Sequence, residues 1–171
     1  MKVVMYMIVS VDGYIATNDN DTPWPDELWN AGYEITKKYD GIIVGRNTYN
    51  LMKSNKDEFG NLGDPVTVTL SHSCDVEPVS LKHYCAESPK EALDRLNEKG
   101  LEKVLLCGGQ QTNSAFLTEQ FVDEIIIDVA PIMLGDGLRL TDNMPFQTEL
   151  QLMKTEKIGS QSVRMHYRIK R

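Results

Sequence analysis

The chain has 171 residues, 41% of them hydrophobic, and this length suits one compact domain over residues 1–171. Its 25 acidic and 18 basic side chains give a net charge of -7, which would repel nucleic acid and anionic membrane surfaces, so neither is an expected partner. The sequence contains no apolar run near the roughly 20 residues that span a bilayer and no leader pattern before Asp12, so we expect a cytoplasmic protein.

Strands and helices alternate along the chain. The dense apolar run at 3–11 is typical of a central strand buried on both faces, and the polar stretch 53–65 is typical of a loop. Asp26 follows two prolines and could cap a helix. In chain order, the predicted strands are 3–11, 41–44, 66–70, 103–107, 124–130, about 150–158 and about 162–170. The predicted helices are about 26–39, one that follows the turn 45–48 and ends at 52, 89–100 and about 112–119.

This alternation predicts an α/β fold with a mainly parallel central sheet, helices on both faces and an antiparallel C-terminal hairpin that turns at Gly159. Right-handed crossovers place the turns that follow parallel strands along one edge of the sheet. We therefore expect the functional residues at that edge.

Cysteine and histidine are too scattered to indicate a metal site. Cys74, Cys85 and Cys107 are an odd number of cysteines without CxxC spacing, so three reduced thiols are expected. The three histidines form no HExxH-like pair. No metal is therefore expected.

Two strand-to-helix turns give the strongest functional signal. They are GRNT at 45–48 and GGQQ at 108–111, and each combines glycine with polar side chains at a predicted helix start. Backbone N–H groups and the helix dipole attract anions there, and glycine lets a pyrophosphate approach closely. Thr48 adds a hydroxyl donor, and Arg46 can form a fork on a terminal phosphate. Neither turn matches GxGxxG or GxxxxGK[ST], and either alone could be an ordinary connection.

Five motifs occur in an order that resembles the dihydrofolate reductase superfamily. They are VDGYIA at 11–16, Pro23-Trp24, IIVGRNTY at 42–49, VTVTLSHS at 66–73 and VLLCGG at 104–109. With APIMLGDG at 130–137, the chain is most similar to the C-terminal reductase domain of the bifunctional riboflavin-pathway deaminase-reductases. The resemblance implies a dihydrofolate reductase-like three-layer fold, NADPH as cofactor, hydride transfer to a pterin-like or pyrimidine-like heterocycle, and a homodimer.

The resemblance also implies roles for individual residues. Arg46 is the expected reader of the 2′-phosphate that separates NADPH from NADH, and the peptide between Gly108 and Gly109 is expected to be cis. His72 is equally well explained as a solvated loop residue. The full set of expected cofactor contacts is Ile8, Ile15, Ala16, Gly45, Arg46, Thr48, Leu70, Ser71, His72, Ser73, Gly108, Gly109, Gln110 and Gln111.

The substrate end departs from both families. Asp12 and Glu27 are the candidate catalytic acids, although Asp12 could be a turn residue and Glu27 an exposed acid of a first helical turn. Trp24, Asp128 and Pro131 are the candidate substrate contacts, Trp24 because it lies on a loop between prolines. The stretch 47–60 lacks the acid-proline pair and the arginine that hold the ribose phosphate in riboflavin-pathway enzymes.

The remaining aromatic and sulfur side chains have two interpretations. Trp29, Tyr33 and Tyr49 could stack on a flat substrate, but the spacing of Trp29 and Tyr33 also suits one buried helical face. Met133, like the methionines of the first strand, is expected in the core. Two rival functions remain: an NADP-binding protein without turnover, and a deaminase-type hydrolase, which the missing zinc pattern disfavours.

Overall fold

The computed structural model describes residues 1–55, 57–142, 144–145 and 147–171. In this part of the chain, no helix has the length and apolarity needed to cross a membrane. The elements are β1 (Lys2–Ser10), β2 (Tyr14–Ala16), α1 (Asp26–Thr36), β3 (Gly41–Gly45), α2 (Arg46–Ser54), α3 (Glu58–Asn61), β4 (Val66–Leu70), β5 (His83–Ala86), α4 (Pro89–Glu98), β6 (Lys103–Leu106), α5 (Gln110–Thr118), β7 (Glu124–Ala130), β8 (Leu138–Arg139), β9 (Leu150–Ile158) and β10 (Ser162–Ile169).

The main sheet has the strand order β5-β4-β3-β6-β1-β7-β10-β9. The strands from β5 to β7 run parallel, and β10 runs antiparallel to both of its neighbours. A small second sheet pairs β2 with β8. The predicted mainly parallel sheet with an antiparallel C-terminal hairpin is therefore confirmed.

β1 lies inside the sheet because its side chains alternate between two hydrophobic cores. Val3 and Met5 pack in the core beneath α4 and α5, whereas Val4 and Ile8 pack in the core beneath α1 and α2. The sequence of a strand covered on both faces is a continuous apolar run rather than an alternation of apolar and polar residues. The helices on both faces complete the predicted three layers.

Four short elements were not predicted, namely β2, α3, β5 and β8. Each has two to four residues, too few to leave a periodic pattern in the sequence. α3 lies in the stretch predicted as loop. The predicted cap of α1 is also wrong, because Pro25 holds the N-cap position and Asp26 belongs to the first turn.

The expectation of three reduced thiols is wrong. Cys74 and Cys85 form a disulfide with their Cα atoms 5.5 Å apart, and Cys107 is the free cysteine. β4 and β5 are neighbours in the sheet, so the loop that leaves β4 brings Cys74 next to the β5 residue Cys85. This pairing was not predicted because β5 itself was not predicted.

Candidate cofactor and substrate site

The carboxyl ends of the parallel strands bring the predicted cofactor contacts to one edge of the sheet. The last residue of β3, Gly45, is paired with the last residue of β4, Leu70. Likewise Ser10, at the end of β1, is paired with Ala130, at the end of β7. The turns after these strands therefore lie side by side, in the position where open α/β sheets bind ligands.

The two glycine turns contact each other. The N–H of Gly45 donates to the carbonyl of Gly108 at 2.7 Å, and the N–H of Gly109 donates to Thr48 Oγ1 at 3.4 Å. A Cβ on Gly45 would lie 2.5 Å from Thr112 Oγ1. The turns after β3 and β6 thus form one continuous backbone surface that tolerates no side chain at Gly45.

Gly108 and Gly109 serve different purposes. Gly108 has φ +77°, and a Cβ there would lie 2.6 Å from Met7 Sδ, so the protein itself needs this glycine. A Cβ on Gly109 would meet, among the described residues, only Thr48 Oγ1 at 3.7 Å within 4 Å. The expected cis bond is wrong, since the described residues contain no cis peptide. The positive φ of Gly108 makes the turn instead.

The helices that follow these turns have unusual starts. The first turns of α2 and α5 read Arg-Asn-Thr and Gln-Gln-Thr, without an acid, and no side chain in the described ranges caps either helix. By contrast, α4 begins with a cap, since Ser88 Oγ accepts from the N–H of Glu91 at 3.2 Å. The first N–H groups of α2 and α5 are therefore available to an anion.

Arg46 is held by the loop that follows β4. Its Nε donates to Ser71 Oγ at 2.7 Å, and its Nη2 donates to Ser73 Oγ at 2.6 Å. Nη2 also forms an ion pair with Asp75, a residue that the sequence did not single out. The pKa of Asp75 is lowered by the hydrogen bond from Ser73 and further by the charge of Arg46. His72, in the same loop, is exposed.

Three further cofactor candidates are buried. Ile8, Ile15 and Ala16 are only 7%, 5% and 6% exposed. Ile8 belongs to the core beneath α1 and α2, and Ile15 to the core beneath α4 and α5. All three side chains therefore belong to the apolar interior of the protein.

An open cleft of about 740 Å³ lies beside the β2–β8 pair. Its walls are Asp12, Gly13, Tyr14, Arg139, Leu140, Thr141, Asp142 and Met144. Gln110, at the start of α5, donates to Asp142 Oδ1 at 2.7 Å, whereas Gln111 is exposed. The cleft therefore adjoins the α5 turn through Gln110.

Asp12 is a structural acceptor in this cleft. Its Oδ1 accepts from the N–H of Leu134 at 3.1 Å, and its Oδ2 accepts from the N–H of Gly135 at 2.7 Å. A hydrogen bond with Ser10 is the largest cause that lowers the pKa of Asp12 to about 2, and these two N–H groups add to it. At neutral pH Asp12 is a carboxylate that fixes the turn 130–137, so it has no proton to donate.

Glu27 lies at the same edge but faces the C-terminal hairpin. Its Oε2 accepts from the N–H of Ser160 at 3.3 Å, and its Oε1 lies 3.5 Å from the donor Ser162 Oγ. A Cβ on Gly159 would clash with the carboxylate of Glu27. The alternative of an exposed acid does not describe Glu27, because its side chain is half-buried against this turn.

The chain matches a family model described as the RibD C-terminal domain over residues 1–163. It belongs to the RibD C-terminal domain family. The YwjB protein of Bacillus subtilis is 30% identical over an alignment of 170 residues, with 97% of each chain covered. The 2,5-diamino-6-ribosylamino-4(3H)-pyrimidinone 5′-phosphate reductase of Methanothermobacter thermautotrophicus is 24% identical over 213 residues, with 98% of each chain covered. A crystallised putative riboflavin biosynthesis protein from Shewanella sp. PV-4 matches all of both chains with a TM-score of 0.83 at 24% identity.

Membership in the RibD C-terminal domain family confirms the predicted family. The structure places two of the predicted substrate contacts, Asp128 and Trp24, inside the protein. Asp128 is fully buried, and Arg164 donates to each of its oxygens at 2.6 Å. Tyr6 donates a third hydrogen bond to Asp128 at 2.8 Å. Trp24 is 7% exposed and packs in the core beneath α1 and α2. Pro131 is exposed directly after β7.

Two other side chains also differ from expectation. Tyr49 is 1% exposed and its hydroxyl is hydrogen-bonded with His83 Nδ1 at 2.9 Å, so it belongs to the core and not to a substrate surface. Met133 was expected in the core but is 74% exposed. Trp29 and Tyr33 stack with ring centroids 6.4 Å apart and pack against the core, as their helical spacing predicted.

Proposed function

We propose that the protein is an NADPH-dependent reductase that transfers hydride to a pyrimidine-like or pterin-like heterocycle. The observation that carries this proposal is the joined pair of glycine turns, where two uncapped helices start and Arg46 stands at one end. Family membership, with a relative named as a pyrimidinone phosphate reductase, supports the same chemistry.

The turns fit a dinucleotide phosphate cofactor. The open space over Gly109 lets a pyrophosphate lie on the backbone, where the N–H groups that start α2 and α5 would bind it. Arg46 would form a fork on the 2′-phosphate with Ser71 beside it, since both already contact each other. When bound, NADPH supplies the hydride.

The cleft of about 740 Å³ fits a small heterocycle, because ligand sites commonly have about 300 to 1,000 Å³. Tyr14 and Arg139 are paired across the β2–β8 sheet and would present an aromatic face and a cation to a flat substrate. Asp12 would keep the cleft in shape by holding the turn 130–137.

Glu27 remains the candidate proton source in this proposal. Glu27→Gln should lower kcat by about 100-fold if the carboxyl assists protonation, and it should leave NADPH affinity nearly unchanged. Stopped-flow kinetics and a cofactor titration separate the two effects. A variant with normal kcat would remove Glu27 from the chemistry and leave it a support of the hairpin.

An NADP-binding protein without turnover is the second candidate. It is favoured by one observation: both candidate acids already accept hydrogen bonds from backbone N–H groups of the protein. Screening NADPH oxidation against dihydrofolate, biopterins and riboflavin-pathway pyrimidines tests both candidates. We expect turnover of a pyrimidine; tight NADPH binding with no turnover would favour the second candidate.

The proposal includes a homodimer formed through β9. This strand is an edge of the main sheet and exposes Leu150, Leu152 and Met153 by 40%, 54% and 43%. Unpaired edge strands with apolar side chains are prone to pair with another copy. Light scattering at micromolar concentration should give twice the 19.4 kDa of one chain. The mass of a single chain would contradict this part of the proposal.

A further inference from the structure

The guanidinium of Arg46 is shared between neutral and charged partners. Ser71 and Ser73 bind it through their hydroxyls, and Asp75 binds it through a carboxylate. The side chains of Arg46 and Asp75 are 36% and 64% exposed, so a ligand at the sheet edge can reach both. Arg46, which we propose binds the 2′-phosphate, is therefore already paired with a carboxylate of the protein.

Two residues that precede Asp75 hold it in this place. Ser73 Oγ donates to its Oδ1 at 3.0 Å. Cys74, directly before Asp75, is tied to β5 by the disulfide with Cys85. The carboxylate is thus anchored at Arg46 by a hydrogen bond and by a cross-link of the loop that carries it.

This arrangement affects the two nicotinamide cofactors in opposite ways. A phosphate carries about -1.5 to -2 charges at pH 7, so a carboxylate on the same arginine repels it and competes for the same N–H donors. The ribose 2′-hydroxyl of NADH is neutral and can donate to a carboxylate, the contact that acidic residues make in NAD-binding sites. Asp75 therefore opposes NADPH and assists NADH.

We propose that Asp75 is a specificity-determining residue, which shares Arg46 with the cofactor and narrows the preference for NADPH over NADH. This inference rests on the proposed function, because it assumes that Arg46 meets the cofactor ribose. The same site then accepts both cofactors, with Arg46 favouring one and Asp75 the other.

The chain offers a matched control. Glu77 lies two residues after Asp75 and is an exposed acid of the same loop, but its carboxylate pairs with Lys53 at 2.7 Å, in the last turn of α2. Glu77→Gln removes one negative charge from this loop without touching Arg46. It therefore separates a local competition at Arg46 from a general effect of charge.

The test is to titrate the parent, Asp75→Asn and Glu77→Gln with NADPH and with NADH, by nucleotide fluorescence. Asp75→Asn should tighten NADPH by about fivefold or more and weaken NADH, whereas Glu77→Gln should change the ratio of the two dissociation constants less than about twofold. Asp75→Ser serves as a second variant if the asparagine protein folds poorly. In an Arg46→Ala background, Asp75→Asn should no longer tighten NADPH.

The other outcomes are distinguishable. An unchanged ratio in Asp75→Asn, with NADPH bound by the parent, would overturn the role of Asp75 and leave the proposed function intact. An equal shift in Glu77→Gln would also overturn it, because the effect would then be one of overall charge. Failure of the parent to bind either nucleotide would overturn both proposals.

Discussion

Three helices start at the same edge of the sheet, yet α4 starts differently from α2 and α5. Ser88 and Glu91 satisfy the start of α4 with a hydroxyl cap and an acid in the first turn. The starts of α2 and α5 have glycine in the cap position and uncharged or basic residues behind it. The fold can therefore satisfy a helix start at this edge by itself. What marks the candidate site is that the protein leaves two of these starts open to another anion.

The largest expected effect concerns the turn before α5. Gly108→Ala should lower the free energy of unfolding by about 2 to 4 kcal/mol, because it combines a positive φ with a contact against Met7. Gly100→Ala, after α4, is the matched control: its φ is +75°, but its Cβ would meet no described atom within 4 Å. That change should cost about 1 kcal/mol. Urea denaturation of both variants measures the difference, and equal costs would show that the contact with Met7 relaxes freely.

Gly109→Ala tests whether the open start of α5 binds the cofactor. The variant should fold normally, because its Cβ fits the protein, and should lose about 1 to 3 kcal/mol of NADPH binding as the methyl group pushes against the pyrophosphate. Cofactor titration, with urea denaturation as the folding control, measures both properties. If the variant binds NADPH as tightly as the parent, the cofactor does not lie on this turn, and the proposal that the two glycine turns bind NADPH fails.

Ser88→Ala gives the smallest expected effect and tests the capped start of α4. Loss of the cap should cost about 1 kcal/mol of stability and leave NADPH affinity unchanged. Thermal unfolding and the same titration provide the two readings. Weaker NADPH binding in this variant would mean that α4 also contributes to the site, and the contrast between the helices would then be wrong.

The sequence predicted the elements that create these helix starts. Parallel strands covered on both faces leave continuous apolar runs, and the glycine turns follow them directly, so both signals are local. The motif order then pointed to the family, which the match over residues 1–163 confirms. The local patterns were sufficient for the sheet, the two turns and the hairpin.

The missed features depend on residues that are distant in sequence. Asp75 lies 29 residues from Arg46, and Asp128 lies 36 from Arg164, so nothing local reveals either pair. The disulfide required β5, which is too short to be predicted. The burial of Trp24 was missed for another reason: its neighbouring prolines indicate a loop but do not tell whether that loop folds over a core.

The pairing of Asp128 with Arg164 has a consequence for how the C-terminal hairpin docks. The two residues are directly opposite each other where β10 meets β7. Sliding β10 by one position would turn the guanidinium to the other face of the sheet and leave a fully buried carboxylate without a counter-ion. An unpaired buried charge costs several kcal/mol of folding free energy, so this one pair strongly disfavours a register of β10 that is shifted by one residue. The outer edge at β9 thereby has a single position relative to the rest of the sheet, and any partner that pairs with it meets the same surface in every molecule.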